Sequence, residues 1–397
     1  MGADLKFIHC ADLHLGSRFV GITTDNPVLG RKLTGSTFRS FSKIVDLALN
    51  EKVDLMVISG DVFDEENETP STRFKFTEEM KRLEIPCFIS LGNHDHKRSW
   101  EDSIPFPDNV HVFPTEAESV RIKVREEDVE ITGISFPSRH TSNNLATSLK
   151  GSPNIFSIAV VHCDLDASSD ENYAPCKTSD LLGRNIDYWA LGHIHKRSEI
   201  YKNPHIVYPG NIQGRNTKES GEKGAYLVSV KNNIISDLEF VPTQDILWQD
   251  LTIDISGKGY DDIIGEIKSK AVKDSILMLH MIGKGEVDAP LRLDTRGFID
   301  IVSTRTGCIV SSVDLRTSPL IDLDGMSKGN DLISMIIKSA DGLSSMDRNR
   351  LIEEICSNAK TSAEIRWVFE EMNDDALRSM AVDAEMFLIE RLTGATK

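Results

Sequence analysis

Lys6-Phe7-Ile8-His9-Cys10-Ala11-Asp12-Leu13-His14 is the stretch that decides how the chain is read. Its first half is apolar enough for a buried strand. It ends in Asp12 and His14, which alternate by two, so at a strand end both side chains point to the same face. The pattern then recurs. Asp54-Leu55-Met56-Val57-Ile58-Ser59 runs into Gly60-Asp61, and Gly60 lets the backbone turn sharply at the strand end. Cys87-Phe88-Ile89-Ser90-Leu91-Gly92 runs into Asn93-His94-Asp95. Phe156-Ser157-Ile158-Ala159-Val160-Val161 runs into His162, and Tyr188-Trp189-Ala190-Leu191-Gly192 into His193-Ile194-His195. Each candidate lies just past the carboxyl end of an expected strand, where open α/β sheets place their sites.

Each motif alone has an ordinary explanation. An Asp-x-His is mostly a turn, Asn93-His94-Asp95 is a good turn sequence, and a single histidine after a strand is usually a core or surface residue. The joint pattern differs, because independent turns are not expected to put mixed oxygen and nitrogen donors at successive strand ends. Together the motifs supply the ligands of a two-metal site, which can attack a phosphodiester with water at neutral pH. The Asp61 carboxylate could bridge two cations, since both of its oxygens can donate. Carboxylate, amide and imidazole without thiolate suit Mn²⁺, Fe²⁺ or Zn²⁺. Cys10 and Cys163 adjoin the candidates and read as strand packing.

Phe7-Ile8-His9-Cys10-Ala11-Asp12-Leu13-His14-Leu15-Gly16, Ser59-Gly60-Asp61-Val62-Phe63-Asp64 and Gly92-Asn93-His94-Asp95 resemble the calcineurin-like metallophosphoesterases, and within them the SbcD/YhaO-type branch of DNA repair exonucleases. Tyr208-Pro209-Gly210-Asn211-Ile212-Gln213-Gly214-Arg215 looks most like YhaO. The likeness covers about residues 5–245 and is faint beyond. It implies one metal on Asp12, His14, Asp61 and His195, and a second on Asp61, Asn93, His162 and His193, with Asp61 as the bridge. In this branch the usual activator is Mn²⁺, so two Mn²⁺ ions are expected. His94 matches the family's catalytic histidine, which stabilises the phosphorane or protonates the leaving 3′-oxygen, and Asp95 is expected to orient its imidazole. Asp64, where some relatives carry a second histidine, is assigned no catalytic role. The resemblance further implies DNA as substrate, a homodimer, and an SbcC-like SMC-type ATPase as partner.

Composition bounds these expectations. The hydrophobic fraction of 40% is ordinary for a globular chain. No apolar run reaches the ~18–20 residues of a membrane span, and the amino terminus has no signal-peptide core. Six scattered cysteines without a C-x-x-C pair argue against a zinc ribbon or a disulfide scaffold. A cytoplasmic setting without membrane contact is expected. The net charge of −17 sits awkwardly with a nucleic-acid enzyme, which is expected to carry a basic footprint. Arg18, Lys196, Arg197 and Arg215 lie near the site loops in sequence and are the candidate DNA-phosphate contacts. Arg73, Lys75, Lys81 and Arg82 share one expected helix, where a solvated face is the plainer reading.

The expected fold class is α/β: a two-sheet α/β/β/α metallophosphoesterase sandwich with a small α+β capping domain and a C-terminal helical region. Residues 1–245 read as the catalytic domain, 246–320 as a β-α-β-β cap, and 328–397 as a helical partner-docking region. In the cap, Arg292-Leu293 and residues 298–302 are read as continuing the strand pattern. In the last region Thr361-Ser362-Ala363-Glu364 is a capping box, and Leu377, Met380, Ala381, Ala384, Phe387 and Leu388 form a stripe at helical spacing. The reading that follows is a metal-dependent DNA nuclease working with an ATPase. The alternatives are a small-molecule nucleotide phosphodiesterase, which the acidity favours, and a non-catalytic scaffold, which the complete ligand set disfavours.

Overall fold

The computed structural model describes residues 2–17, 30, 33–64, 68–95, 104–166, 173–320, 323–358 and 363–393. The chain divides into two compact units, Met1–Asp250 with Val272–Leu277, and Leu251–Ala271 with Met278–Lys397.

In the first unit, β1 (Leu5–Cys10), β2 (Leu55–Ser59), β3 (Cys87–Ser90) and β4 (Val110–Val112) run parallel in sequence order. Parallel neighbours need crossover connections, and the helix Ser36–Glu51 lies between β1 and β2, the helix Pro70–Leu83 between β2 and β3. The first helix buries Phe41, Ile44, Val45 and Ala48, a stripe at helical spacing. The second starts at Thr69, whose hydroxyl accepts from the Thr72 N–H, with Pro70 in the first turn.

A second sheet holds β5 (Glu118–Val124), β6 (Glu127–Ile134), β7 (Phe156–His162), β10 (Tyr188–Gly192), β11 (Ser198–Lys202) and β12 (His205–Tyr208), in the order β11-β12-β10-β7-β6-β5. The short pair β8 (Asp164–Leu165) and β9 (Pro175–Cys176) stands outside it. Strands β13 (Gly224–Lys231) and β14 (Ile234–Pro242) return to the first sheet, antiparallel beside β1. The two sheets pack face to face. Phe7, Leu55, Val57 and Phe88 from one meet Ile131, Ile158, Val160, Tyr188 and Ala190 from the other in a single buried cluster. Alternate residues turn outward: Ile8, Met56 and Ile58 pack under the two helices. Val161, Trp189 and Leu191 pack under Leu145, Leu149 and Leu181, on a 3-10 turn and a short helix. This is a mixed α/β sandwich of the expected class, and it puts the ends of β1, β2, β3, β7 and β10 at one edge.

The second unit is built on β15 (Trp248–Asp254), β16 (Ile276–Lys284) and β17 (Ile309–Ser318), in that order. The expected strand at 298–302 is instead part of a helix, Thr295–Thr306, preceded by the helix Asp288–Leu293. The Asp294 carboxylate accepts from the Gly297 N–H and caps its start. Phe298 and Val302 are buried four residues apart, on one helical face. The third strand comes later, as β17. Beyond it lie the helices Leu323–Ser327, Leu332–Ser344, Arg348–Asn358, Ala363–Glu371 and Asp374–Thr393. The expected capping hydroxyls of Thr361 and Ser362, and the burial of Ala381, lie outside what is described. Of the expected stripe, Leu377 is fully buried, while Phe387 is 56% exposed and Leu388 46% exposed. Among the described residues no helix is long and apolar enough to cross a membrane.

Candidate metal centre

Parallel pairing of β1 and β2 continues past their last residues. The Asp12 N–H donates to the Gly60 carbonyl at 3.0 Å, that of His14 to the Asp61 carbonyl at 2.9 Å, and that of Leu15 to the Val62 carbonyl at 3.0 Å. The two ligand loops therefore run side by side. Asp12, His14 and Asp61 have φ of 50°, 44° and 49°, and His193 has φ of 106°. Side-chain-bearing residues rarely take these values, and such backbone strain concentrates at functional sites. Glycines make the approach close enough. A Cβ on Gly60 would stand 2.3 Å from His162 Nδ1, one on Gly92 2.2 Å from Asp61 Oδ1, and one on Gly192 1.6 Å from the Ser59 carbonyl oxygen.

Asp61 sits at the middle. Its Oδ1 accepts from the His94 N–H at 3.0 Å. Its Oδ2 lies 3.7 Å from His14 Nε2 and 3.5 Å from His162 Nε2, so one oxygen faces both halves of the cluster. On one side, donor atoms of Asp12, His14 and His195 lie within 4.8 Å of one another, and His14 Nε2 is 3.1 Å from His195 Nε2. On the other side the same holds for Asp12, Asp61 and His162, and Asn93 Oδ1 is 3.0 Å from His162 Nε2. The His193 ring packs against His162 at 5.2 Å and Tyr173 at 5.1 Å, and the His193 backbone N–H donates to both Asp12 oxygens. The structure thus brings all seven expected ligands to one place. It also groups Asp64 with His14 and His94, its Oδ1 lying 3.4 Å from His14 Nδ1.

The donor set fits cations. His195 Nδ1 is bonded to Glu219 Oε1 at 2.9 Å, and His162 Nδ1 to the Ser59 carbonyl at 3.0 Å. A carbonyl or carboxylate takes the Nδ1 hydrogen, which leaves each Nε2 lone pair turned into the cluster. Lone pairs and carboxylate oxygens then converge, an arrangement that a cation satisfies. The electrostatics agree. Burial, with the neighbouring Asp61 charge, raises the Asp12 carboxyl above the usual range despite His195 and His162. Burial holds the His14 and His193 imidazoles down at about 3, so both are neutral. Burial also lowers His162, but Asp61 and Asp12 outweigh it and raise its basicity. A divalent cation is of the sign this anionic field calls for.

Asp95 is held by backbone N–H groups of two loops. Its carboxylate accepts from the Gly92 N–H at 2.9 Å, the Val62 N–H at 3.1 Å and the Phe63 N–H at 2.9 Å, tying the loop after β3 to the loop after β2. Burial first, then the Asp61 charge, pushes its carboxyl up to about 7 against those three hydrogen bonds. Of the basic candidates, Arg215 reaches the rim, its Nη1 at 3.4 Å from both Ser17 Oγ and Asp64 Oδ1. Lys196 is exposed. Arg197 lies over the Phe240 ring at 3.8 Å. Arg18 lies outside the described residues. On the helix Pro70–Leu83, Arg73 is buried over Phe106 and Arg82 is paired with Asp46 and Glu79.

Sequence reasoning missed the residues behind the ligands. Glu219 accepts from Asn211 Nδ2 at 2.8 Å and the Arg215 N–H at 2.8 Å as well as holding His195. Burial raises its carboxyl, but His195 and Arg215 outweigh that and hold it at about 2. Lys223 Nζ donates to the His195 carbonyl at 2.8 Å. These residues sit in polar loops with no periodicity, so only their partners give them meaning.

Residues 5–197 match the calcineurin-like phosphoesterase family. The chain is 38% identical over 265 residues to the uncharacterized metallophosphoesterase YhaO of Bacillus subtilis (strain 168), a match that covers 64% of each chain. It is 25% identical over 314 residues to the DNA double-strand break repair protein Mre11 of Sulfolobus acidocaldarius, covering 73% of this chain and 77% of that one. It is 27% identical over 288 residues to the protein of the same name in Thermoplasma acidophilum, covering 68% and 73%.

Proposed function

We propose that the chain, whose residues 5–197 match the calcineurin-like phosphoesterase family and which is similar to YhaO and Mre11, is a metal-dependent phosphodiesterase whose substrate is DNA. The observation that carries the chemistry is Asp61 Oδ2, which faces His14 on one side and His162 on the other. Two divalent cations, Mn²⁺ in this proposal, would be held by Asp12, His14, Asp61 and His195 and by Asp61, Asn93, His162 and His193. When bound, such a pair supplies Lewis acidity and a water acidified toward neutral pH. The remaining work falls to the chain. His94, whose backbone N–H donates to Asp61 and whose ring packs edge-on to His14, would protonate a leaving 3′-oxygen or stabilise the phosphorane. Asp95 holds the loop that carries His94. Arg215, at the rim, is the best placed of the three described basic candidates to meet a DNA phosphate.

The choice of DNA rests on the relatives named for double-strand break repair. The net charge of −17 favours a second reading, a small-molecule nucleotide phosphodiesterase. The helical region favours the first. Leu332, Met335, Ile336, Leu343, Met380 and Leu388 help line an apolar groove of about 470 Å³, a surface suited to a helix of an SbcC-like SMC-type ATPase. In this reading the protein is a homodimer in the cytoplasm. The test uses the full chain with Mn²⁺ or with chelator, assayed on end-labelled linear DNA and on bis-p-nitrophenyl phosphate. Mn²⁺-dependent loss of DNA ends supports the nuclease. Turnover of the small diester with intact DNA selects the second reading. No turnover of either rejects the catalytic proposal.

A further inference from the structure

His9 is fully buried in β1, a polar ring between two sheets. Both ring nitrogens are engaged. Nδ1 is 3.0 Å from Tyr188 Oη on β10, and Nε2 is 3.2 Å from Ser59 Oγ on β2. Burial drives the imidazole down to about 3, against a hydrogen bond to the Leu191 backbone, so the ring is neutral and carries one N–H. Ser59 Oγ is 2.8 Å from the Ala190 carbonyl, which can only accept, so the serine proton goes there. Ser59 Oγ must then receive the His9 Nε2–H, and the bare Nδ1 must receive the Tyr188 hydroxyl proton. With the serine proton on Ala190, the hydrogen bonds run in one direction from Tyr188 through His9 and Ser59 to Ala190.

This line crosses from one sheet to the other and back at the strand ends. Ser59, within this line, touches the metal centre. The Ser59 carbonyl holds His162 Nδ1 at 3.0 Å, and it lies so close to Gly192 that a Cβ there would stand 1.6 Å away. Apolar contacts between sheets tolerate small slips, whereas hydrogen bonds fix position. We infer that His9 and Ser59 are positioning residues: their cross-sheet hydrogen bonds set the Ser59 carbonyl so that it keeps His162 in the tautomer whose Nε2 lone pair faces the centre. The inference rests on the metal-centre reading and adds two residues that touch neither cation nor substrate. A core histidine that merely satisfied its own hydrogen bonds would support folding and leave ligand geometry alone, and the two roles predict different measurements.

The experiment titrates Mn²⁺ into the metal-stripped full chain by calorimetry and records the melting temperature of the metal-free form. Ser59→Ala and His9→Phe are expected to weaken Mn²⁺ binding by roughly 10–100-fold, the usual effect of losing a group that orients a ligand. Ser59→Thr, which keeps the hydroxyl, is expected to stay near the wild-type affinity. Tyr188→Phe removes one oxygen from a ring that still fits, so it serves if the others fail to fold. It is expected to weaken binding several-fold, because His9 loses the partner that fixes its tautomer. Wild-type Mn²⁺ affinity in Tyr188→Phe and Ser59→Ala, with only a lowered metal-free melting temperature, overturns the positioning role. A wild-type chain that binds no divalent cation overturns the metal-centre reading itself, and this inference with it.

Discussion

In the proposed site, His94 stands beside the ligands without being one of them. Its N–H rests on Asp61 Oδ1 and its ring meets His14 edge-on, at 5.2 Å between centroids. His94→Gln is expected to retain both cations by elemental analysis while turnover falls by ~10²–10⁴, the range for losing a positioned proton donor. Metal-free protein, or normal turnover, would reject the role. Asp61→Asn is expected to do the opposite: the charge between the two halves disappears, and metal content drops for both ions. Away from the centre, Glu130 gives a pH test. Burial raises its carboxyl, but the Ser152 hydrogen bonds and Arg121 outweigh that and hold it below its ordinary value. A carboxyl lowered on folding contributes stability above its unfolded pKa, ~4.3, and loses it as pH falls through the folded value. Glu130→Gln is therefore expected to cost about 1–3 kcal/mol at pH 7. The deficit should shrink as pH falls below about 4, which thermal melts of the metal-free protein at both pH values would read.

At the scale of elements, the site is made by strand ends that approach more closely than side chains allow. Gly60, at φ 85°, lies where a Cβ would meet the His162 ring at 2.3 Å. Gly60→Ala is expected to cost ~1–2 kcal/mol from its backbone conformation alone, and more from displacing His162. Mn²⁺ affinity should therefore fall further than the melting temperature suggests, and an unchanged affinity would mean that His162 can move without loss. The near-continuous apolar runs of β1 and β2 are legible in sequence because burial on both faces demands them. The helix Thr295–Thr306 is not legible in sequence because the short segment Phe298-Ile299-Asp300-Ile301-Val302 fits either period, and the cap at Asp294 that settles it is a single side chain.

At the scale of the molecule, every expected ligand and His94 precede residue 196, and the chain ends in helices that carry a small cluster of their own, Leu351, Ile352 and Leu377. Deleting residues 328–397 is expected to leave Mn²⁺-dependent cleavage of bis-p-nitrophenyl phosphate intact and to abolish co-purification with an SMC-type ATPase. Inactive or insoluble truncated protein would show that the helices support the catalytic unit. Unchanged ATPase binding would place the docking surface elsewhere.

The sequence by itself determined the class of fold and the proposed ligand types, because each candidate ligand follows an apolar run that has to be a buried strand, and the residue types constrain the chemistry. It could not determine which residues stand behind those ligands. Glu219 lies 24 positions from His195, and Ser59 lies 103 from His162. No local period links such pairs, and an isolated glutamate or serine carries no signal of its partner. Nor could it show that Asp95 binds three backbone N–H groups, since a carboxylate next to a histidine in sequence reads as that histidine's companion. Tertiary structure decided these roles because hydrogen bonds need direction and distance, and both are set only when the two sheets close on each other.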